Sequence, residues 1–137
     1  MSRDFKFRVK NRLGNWVYGV PCQFEGRKAD EPILFSSYWL DENDILHETK
    51  YAIDDTKTIG QFTGFRDKSG KDIYEGDIVA FLYRGKNVKC EIEWAEFTGM
   101  WHFKNDIAFL LSKDTLGKST ILGNIHDNPE LITKKTI

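Results

Sequence analysis

The sequence is poor in cysteine, proline and methionine, has no long apolar run, and carries no excess of either charge. Its two cysteines, Cys22 and Cys90, lie far apart with no CxxC and no Cys/His cluster, so neither a disulfide framework nor a zinc site is indicated. Two free thiols fit a reducing compartment. No stretch approaches the ~20 apolar residues of a membrane-spanning helix, and Met1-Ser2-Arg3-Asp4-Phe5 does not open a signal peptide. The expectation is a soluble cytoplasmic protein without a membrane partner. Lys and Arg number 20 against 21 Asp and Glu, a formal charge of −1, so the whole-molecule field does not select for a polyanion. What is present is an aromatic payload, 10 Phe, 5 Tyr and 4 Trp in 137 residues. That suffices for one compact domain or two small lobes without staples.

Alternation by two is the strongest periodic signal, the mark of a strand with one buried face. Phe5, Phe7 and Val9 alternate with Lys6, Arg8 and Lys10, and Asn11-Arg12-Leu13-Gly14-Asn15 supplies a turn before Trp16-Val17-Tyr18, which predicts an N-terminal hairpin. Ile78–Tyr83 and Val88–Trp94, joined by Arg84-Gly85-Lys86-Asn87, predict a second, with Lys89, Glu91 and Glu93 as cross-strand partners on a solvated face. Further short runs at Met100–Phe103, Ala108–Leu111 and Ser119–Ile125 give the second half about five strands, a spacing that suits small barrels or sandwiches. Strands are also expected over Ile33–Leu40 and Leu46–Ile53 around the turn Asp41-Glu42-Asn43-Asp44. No segment has the length and period of a strong helix; Asn128-Pro129-Glu130-Leu131 reads as an N-cap and one closing helical turn. The expected class is mostly β, with a β-rich lobe over residues 1–58 and a small barrel or sandwich over 59–137, dividing near Asp54-Asp55-Thr56-Lys57.

The densest turn chemistry lies between Gly64 and Val79. Asp67-Lys68-Ser69-Gly70 offers an Asp that accepts backbone N–H bonds and a Gly able to take a positive φ. Glu75-Gly76-Asp77 bends the chain into Ile78-Val79, with Tyr74 just before it. The run Ile59–Val79, together with Ile121–Leu131, resembles the YopX family of bacteriophage and prophage proteins, and Phe7-Arg8-Val9-Lys10 resembles that family's N-terminal strand. The resemblance implies a mostly β fold with an SH3-like barrel in the second half, and life inside an infected or lysogenic bacterium. It assigns the motif residues Gly64, Asp67, Gly70, Tyr74, Glu75, Gly76 and Asp77 to structural turns and implies no activity.

The residues themselves give no catalytic, cofactor or metal assignment. Asp41, Glu42, Asp44, His47 and Glu48 come nearest to a metal cluster, yet His47-Glu48-Thr49-Lys50-Tyr51 lacks a second His and the acidic run lacks the glycine of a calcium loop. Ser36-Ser37 sits in no nucleophile elbow, His102 and His126 have no base geometry, and Gly60-Gln61-Phe62-Thr63-Gly64 lacks the Lys of a phosphate loop. Two readings remain. Five basic residues in the first twelve, of which Lys6, Arg8, Lys10 and Arg12 suit a strand and its turn, could contact nucleic acid, with Tyr74, Tyr83, Trp94 and Trp101 as stacking candidates. Against them stand six carboxylates between Asp41 and Asp55 beside Lys50 alone. That separation favours a self-associating, non-enzymatic interaction module, a homo-oligomer with a phage or host protein as a further partner.

Overall fold

The computed structural model describes residues 6–22, 28, 31–53, 55–96, 99–104, 109–110 and 113–132. Arg3, Phe5, Asp54, Phe97, Thr98 and both ends of the 108–111 run lie outside them. Strands dominate as expected. The chain divides into two compact units, Met1–Gln61 and Phe62–Ile137.

The first unit contains β1 (Phe7–Lys10), β2 (Trp16–Cys22), β3 (Ile33–Leu40), β4 (Leu46–Ile53) and the first two residues of β5 (Gly60–Arg66). They pair antiparallel in the order β4-β3-β2-β1, and Phe7 and Arg8 of β1 face Gln61 and Gly60 on its other side. Odd-numbered residues share one face, and that face is the core: Val9, Val17, Phe35 and Ile53 are buried, with Phe7, Tyr51 and Ile59 packed against them. Gly19 is required by a close approach, since a Cβ there would run into the Ser36 carbonyl of β3.

In the second unit, β5 pairs with β6 (Asp72–Tyr74) through Phe62 opposite Tyr74 and Arg66 opposite Asp72, with a register shift between them. A second antiparallel sheet has the order β10-β9-β8-β7-β11, from β7 (Asp77–Tyr83), β8 (Lys86–Ala95), β9 (Met100–Lys104), β10 (Phe109–Leu110) and β11 (Thr120–Asn124). Among the described residues that order is open, β10 and β11 forming its ends. Its core is Ile73, Val79, Phe81, Cys90, Ile92, Phe103 and Leu116, the Phe81 and Phe103 rings lying 4.8 Å apart. The turn of the β7–β8 hairpin is tighter than the four residues expected. Tyr83 pairs directly with Lys86, leaving Arg84 at φ 50° and Gly85 at φ 78°, the two positive values that match a right-handed strand twist.

One short element joins those expected, and one local expectation is corrected. A short helix, α1 (Lys113–Gly117), appears where no period announced one; its single buried residue, Leu116, plugs the core. The 3-10 turn Pro129–Leu131 forms without the side-chain cap assigned to Asn128. That carboxamide turns back instead, accepting the Asn124 N–H at 3.3 Å, and it lies so close to Gly123 that a Cβ there would collide with it.

Candidate interaction surface

The β3–β4 hairpin is a ribbon of eight uninterrupted pairs, from Ile33 opposite Ile53 to Leu40 opposite Leu46. Its base is anchored in the core by Ile33, Phe35 and Ile53. Its far end is not. Tyr38, Leu40 and Leu46 are 57%, 62% and 64% exposed, and Trp39 and Ile45 are exposed beside them. The even-numbered face therefore carries Tyr38, Leu40 and Leu46, together with the exposed Tyr18 and Val20 of β2.

A polar network holds this end in shape. Asp41 Oδ1 accepts the N–H groups of Asn43 at 2.8 Å and Ile45 at 3.0 Å, closing the turn that Asp44 enters at φ 60°. Its other oxygen, Oδ2, lies 2.7 Å from His47 Nε2. The His47 ring stacks on Trp39 with centroids 4.4 Å apart and planes 16° from parallel, and Trp39 Nε1 donates to Thr49 Oγ1 at 3.2 Å. The hydrogen bond from His47, then those from Ile45 and Asn43, hold the Asp41 carboxyl below its ordinary value of 3.8. A depressed carboxyl adds stability above its unfolded value, and that contribution is lost as pH falls through the lower folded value. His47→Ala is expected to return the Asp41 carboxyl toward 3.8, read from its carbon chemical shift during an acid titration; an unchanged midpoint would assign the shift to the turn amides alone.

The motif residues of the second unit fold into two turns. Asp67, 7% exposed, accepts the N–H of Ser69 at 2.9 Å and of Lys71 at 3.0 Å through Oδ1, and that of Ile121 at 3.2 Å through Oδ2. Gly70 closes this turn at φ 80°. Asp77 Oδ2 accepts the buried Tyr74 N–H at 2.8 Å, reaching back over Glu75 and Gly76. Gly76, at φ 89°, donates its N–H to the Ile92 carbonyl of β8 at 2.8 Å and accepts from Ile125, just past β11, at 2.9 Å, so the turn into β7 is tied to both neighbours at one residue without a side chain. Gly64 also has a positive φ, 89°, within the register shift of β5.

These turns lie inside the span that a protein-family model, described as YopX protein, matches: residues 6–133. The chain belongs to the YopX family. Among solved structures this YopX-family chain is similar to protein EF1440 from Enterococcus faecalis, with a TM-score of 0.64 and 23% identity over 96% of this chain and 100% of that one. That likeness shows the fold alone. No curated protein matches the chain.

The basic residues of this YopX-family protein do not form the solvated stripe that alternation suggests. Arg8 is 6% exposed, its guanidinium carbon 4.4 Å from the centroid of the Trp16 ring, and Lys10 Nζ lies 5.5 Å from the same centroid. β1 pairs with β2 along one edge and β5 along the other, and on its face the Arg8 guanidinium lies over the Trp16 ring while Gly60 opposite it presents no side chain. Lys10 and Arg12 instead border a shallow depression with Asp55 and Thr58. A second groove, bordered by Arg66, Lys113, Asp114 and Lys118, lies on the other unit, where Arg66 Nε donates to Asp72 at 2.9 Å.

Of the four stacking candidates, Tyr74 is buried, Tyr83 and Trp101 pack against the core, and the exposed Trp94 stands edge-on to Trp101 at 5.2 Å. Of the histidines, His102 Nε2 meets its cross-strand partner Glu93 at 2.9 Å and His126 lies beside Gly76. Burial pushes the neighbouring Glu91 carboxyl up, against the opposing pull of Lys104. Among the described residues no three His, Cys, Asp or Glu side chains are grouped to hold a metal. The exposed hairpin end is what sequence reasoning missed. Its signal was the unbroken apolar triplet Tyr38-Trp39-Leu40, which reads as a strand buried on both faces but stands beyond the reach of the core.

Proposed function

We propose that this YopX-family protein is a phage- or prophage-encoded accessory protein of the host cytoplasm, without catalytic activity, that works by protein contact and associates with itself. One observation carries the reading: five large apolar side chains, Tyr38, Trp39, Leu40, Ile45 and Leu46, are exposed together on a hairpin end whose shape is fixed by the Asp41, His47 and Trp39 network. Large apolar side chains held in water at one hairpin end, three of them on one face, mark a contact surface. The burial of Arg8 weakens the nucleic-acid alternative, which depended on Lys6, Arg8 and Lys10 forming one basic stripe with Arg12.

Light scattering on a size-exclusion column at about 50 and about 500 mM salt, with and without oligonucleotides, tests the reading. The expected result is an oligomer that persists at high salt and ignores the oligonucleotides. A strict monomer at high micromolar concentration overturns self-association. A species that shifts with oligonucleotide only at low salt transfers the function to Lys6, Lys10 and Arg12.

A further inference from the structure

Among the described residues β4 is an edge strand of the first unit. It ends the strand order, pairs only with β3 among the described residues, and runs through eight residues in unbroken register. It contains no proline and no bulge, two of the usual devices that stop edge strands from pairing. Its charges form a pattern of their own. Glu48 and Lys50 flank Thr49, both project from the same exposed face, and their charged atoms lie 3.6 Å apart.

Two copies of one strand can pair antiparallel around a two-fold axis only if that axis is perpendicular to the sheet, because opposed residues must share a face. The axis must then pass through a residue position. Centred on Glu48, the pairing would set two carboxylates against each other; centred on Lys50, two ammonium groups. Centred on Thr49, it sets Glu48 opposite the partner's Lys50 and Lys50 opposite the partner's Glu48, with Leu46 opposite the partner's Ala52. Of these three central registers only the last pairs unlike charges.

We propose that a second copy of this chain docks on β4 in that register, joining the two copies' sheets edge to edge into one continuous antiparallel sheet. This deepens the self-association reading and rests on it. Because the axis is perpendicular to the sheet, both apolar faces, each with Tyr38, Leu40 and Leu46, lie on the same side of the joined sheet.

Charge reversal with complementation tests the register. Glu48→Lys alone places Lys against Lys twice, and Lys50→Glu alone places Glu against Glu twice, so each variant is expected to raise the dimer dissociation constant about tenfold at low salt. An equimolar mixture of the two single variants restores unlike pairs and is expected to recover wild-type association, as is the double variant. In a Cys22→Ser background, Thr49→Cys is expected to form an intermolecular disulfide under mild oxidation, since directly opposed residues fall within the Cα separation a disulfide needs. Ala52→Cys, displaced along the strand from its own symmetry mate, is expected to remain a thiol. If the wild type is an oligomer but the single reversals associate normally, or Ala52→Cys cross-links as well as Thr49→Cys, this register is wrong while self-association stands. If the wild type is a monomer at high micromolar concentration, the functional reading fails and the register falls with it.

Discussion

Replacing Asp67 by alanine is expected to destabilise the protein by about 3 kcal/mol, since each of its three amide bonds is worth about 1 kcal/mol and the carboxylate is replaced by nothing that can accept. The carboxylate joins two turn amides, Ser69 and Lys71, to Ile121, which lies 54 residues further along the chain. Asp67→Asn separates the two contributions. Its carboxamide oxygen can still accept from Ser69 and Lys71, whereas its NH2 group would face the Ile121 N–H, donor against donor. A loss of about 1–2 kcal/mol is expected, between alanine and wild type. Urea denaturation followed by circular dichroism supplies both numbers. An alanine variant within about 0.5 kcal/mol of wild type would show that water replaces the carboxylate, and that the link to β11 adds nothing to stability.

The second large effect is expected at Phe35, fully buried at the base of the β3–β4 hairpin. Phe35→Ala should cost about 3–5 kcal/mol, the lost transfer free energy of the ring plus the cavity that Val9, Val17 and Ile53 close only in part. Tyr38, three residues further along the same strand, is expected to behave in the opposite way. Its alanine variant should unfold within about 0.5 kcal/mol of wild type, because the ring is already in water, yet self-associate more weakly. Denaturation midpoints paired with scattering masses for both variants check the contrast. Equal destabilisation at the two positions would mean that the hairpin end belongs to the core and is not a contact surface.

These two hairpins also show what the sequence makes legible. The strands Ile33–Leu40 and Leu46–Ile53 are bounded as their turn chemistry predicts, because Asp41 and Asp44 stop strands for local reasons. The reach of the core is not local. Nothing within Tyr38-Trp39-Leu40 says that the packing layer ends near Ser36, so the strand was legible and the exposure of its far end was not. Arg8 fails in the opposite direction. Alternation assumes one wet face, and here the Trp16 ring under the guanidinium and the glycine opposite it give the arginine a dry place on that face. Leu116 is a third case: a five-residue helix has too few positions to show a period, although it fills the core as a longer one would. The glycines of the motif were legible because a positive φ is a property of one residue, whatever lies around it.

The order β10-β9-β8-β7-β11 has a consequence for synthesis. β7, β8, β9 and β10 follow one another as a meander and can pair as each emerges from the ribosome. β7 receives its second neighbour only when Thr120–Asn124 has been made, so one side of this apolar strand waits unpaired while β8, β9 and β10 are synthesised. A nascent chain stalled or cut before Thr120 presents that edge, Ile78-Val79-Ala80-Phe81, to any other extended chain nearby. A chain cut before β11 is therefore expected to aggregate more readily than the full one, because β11 is what covers that side of β7.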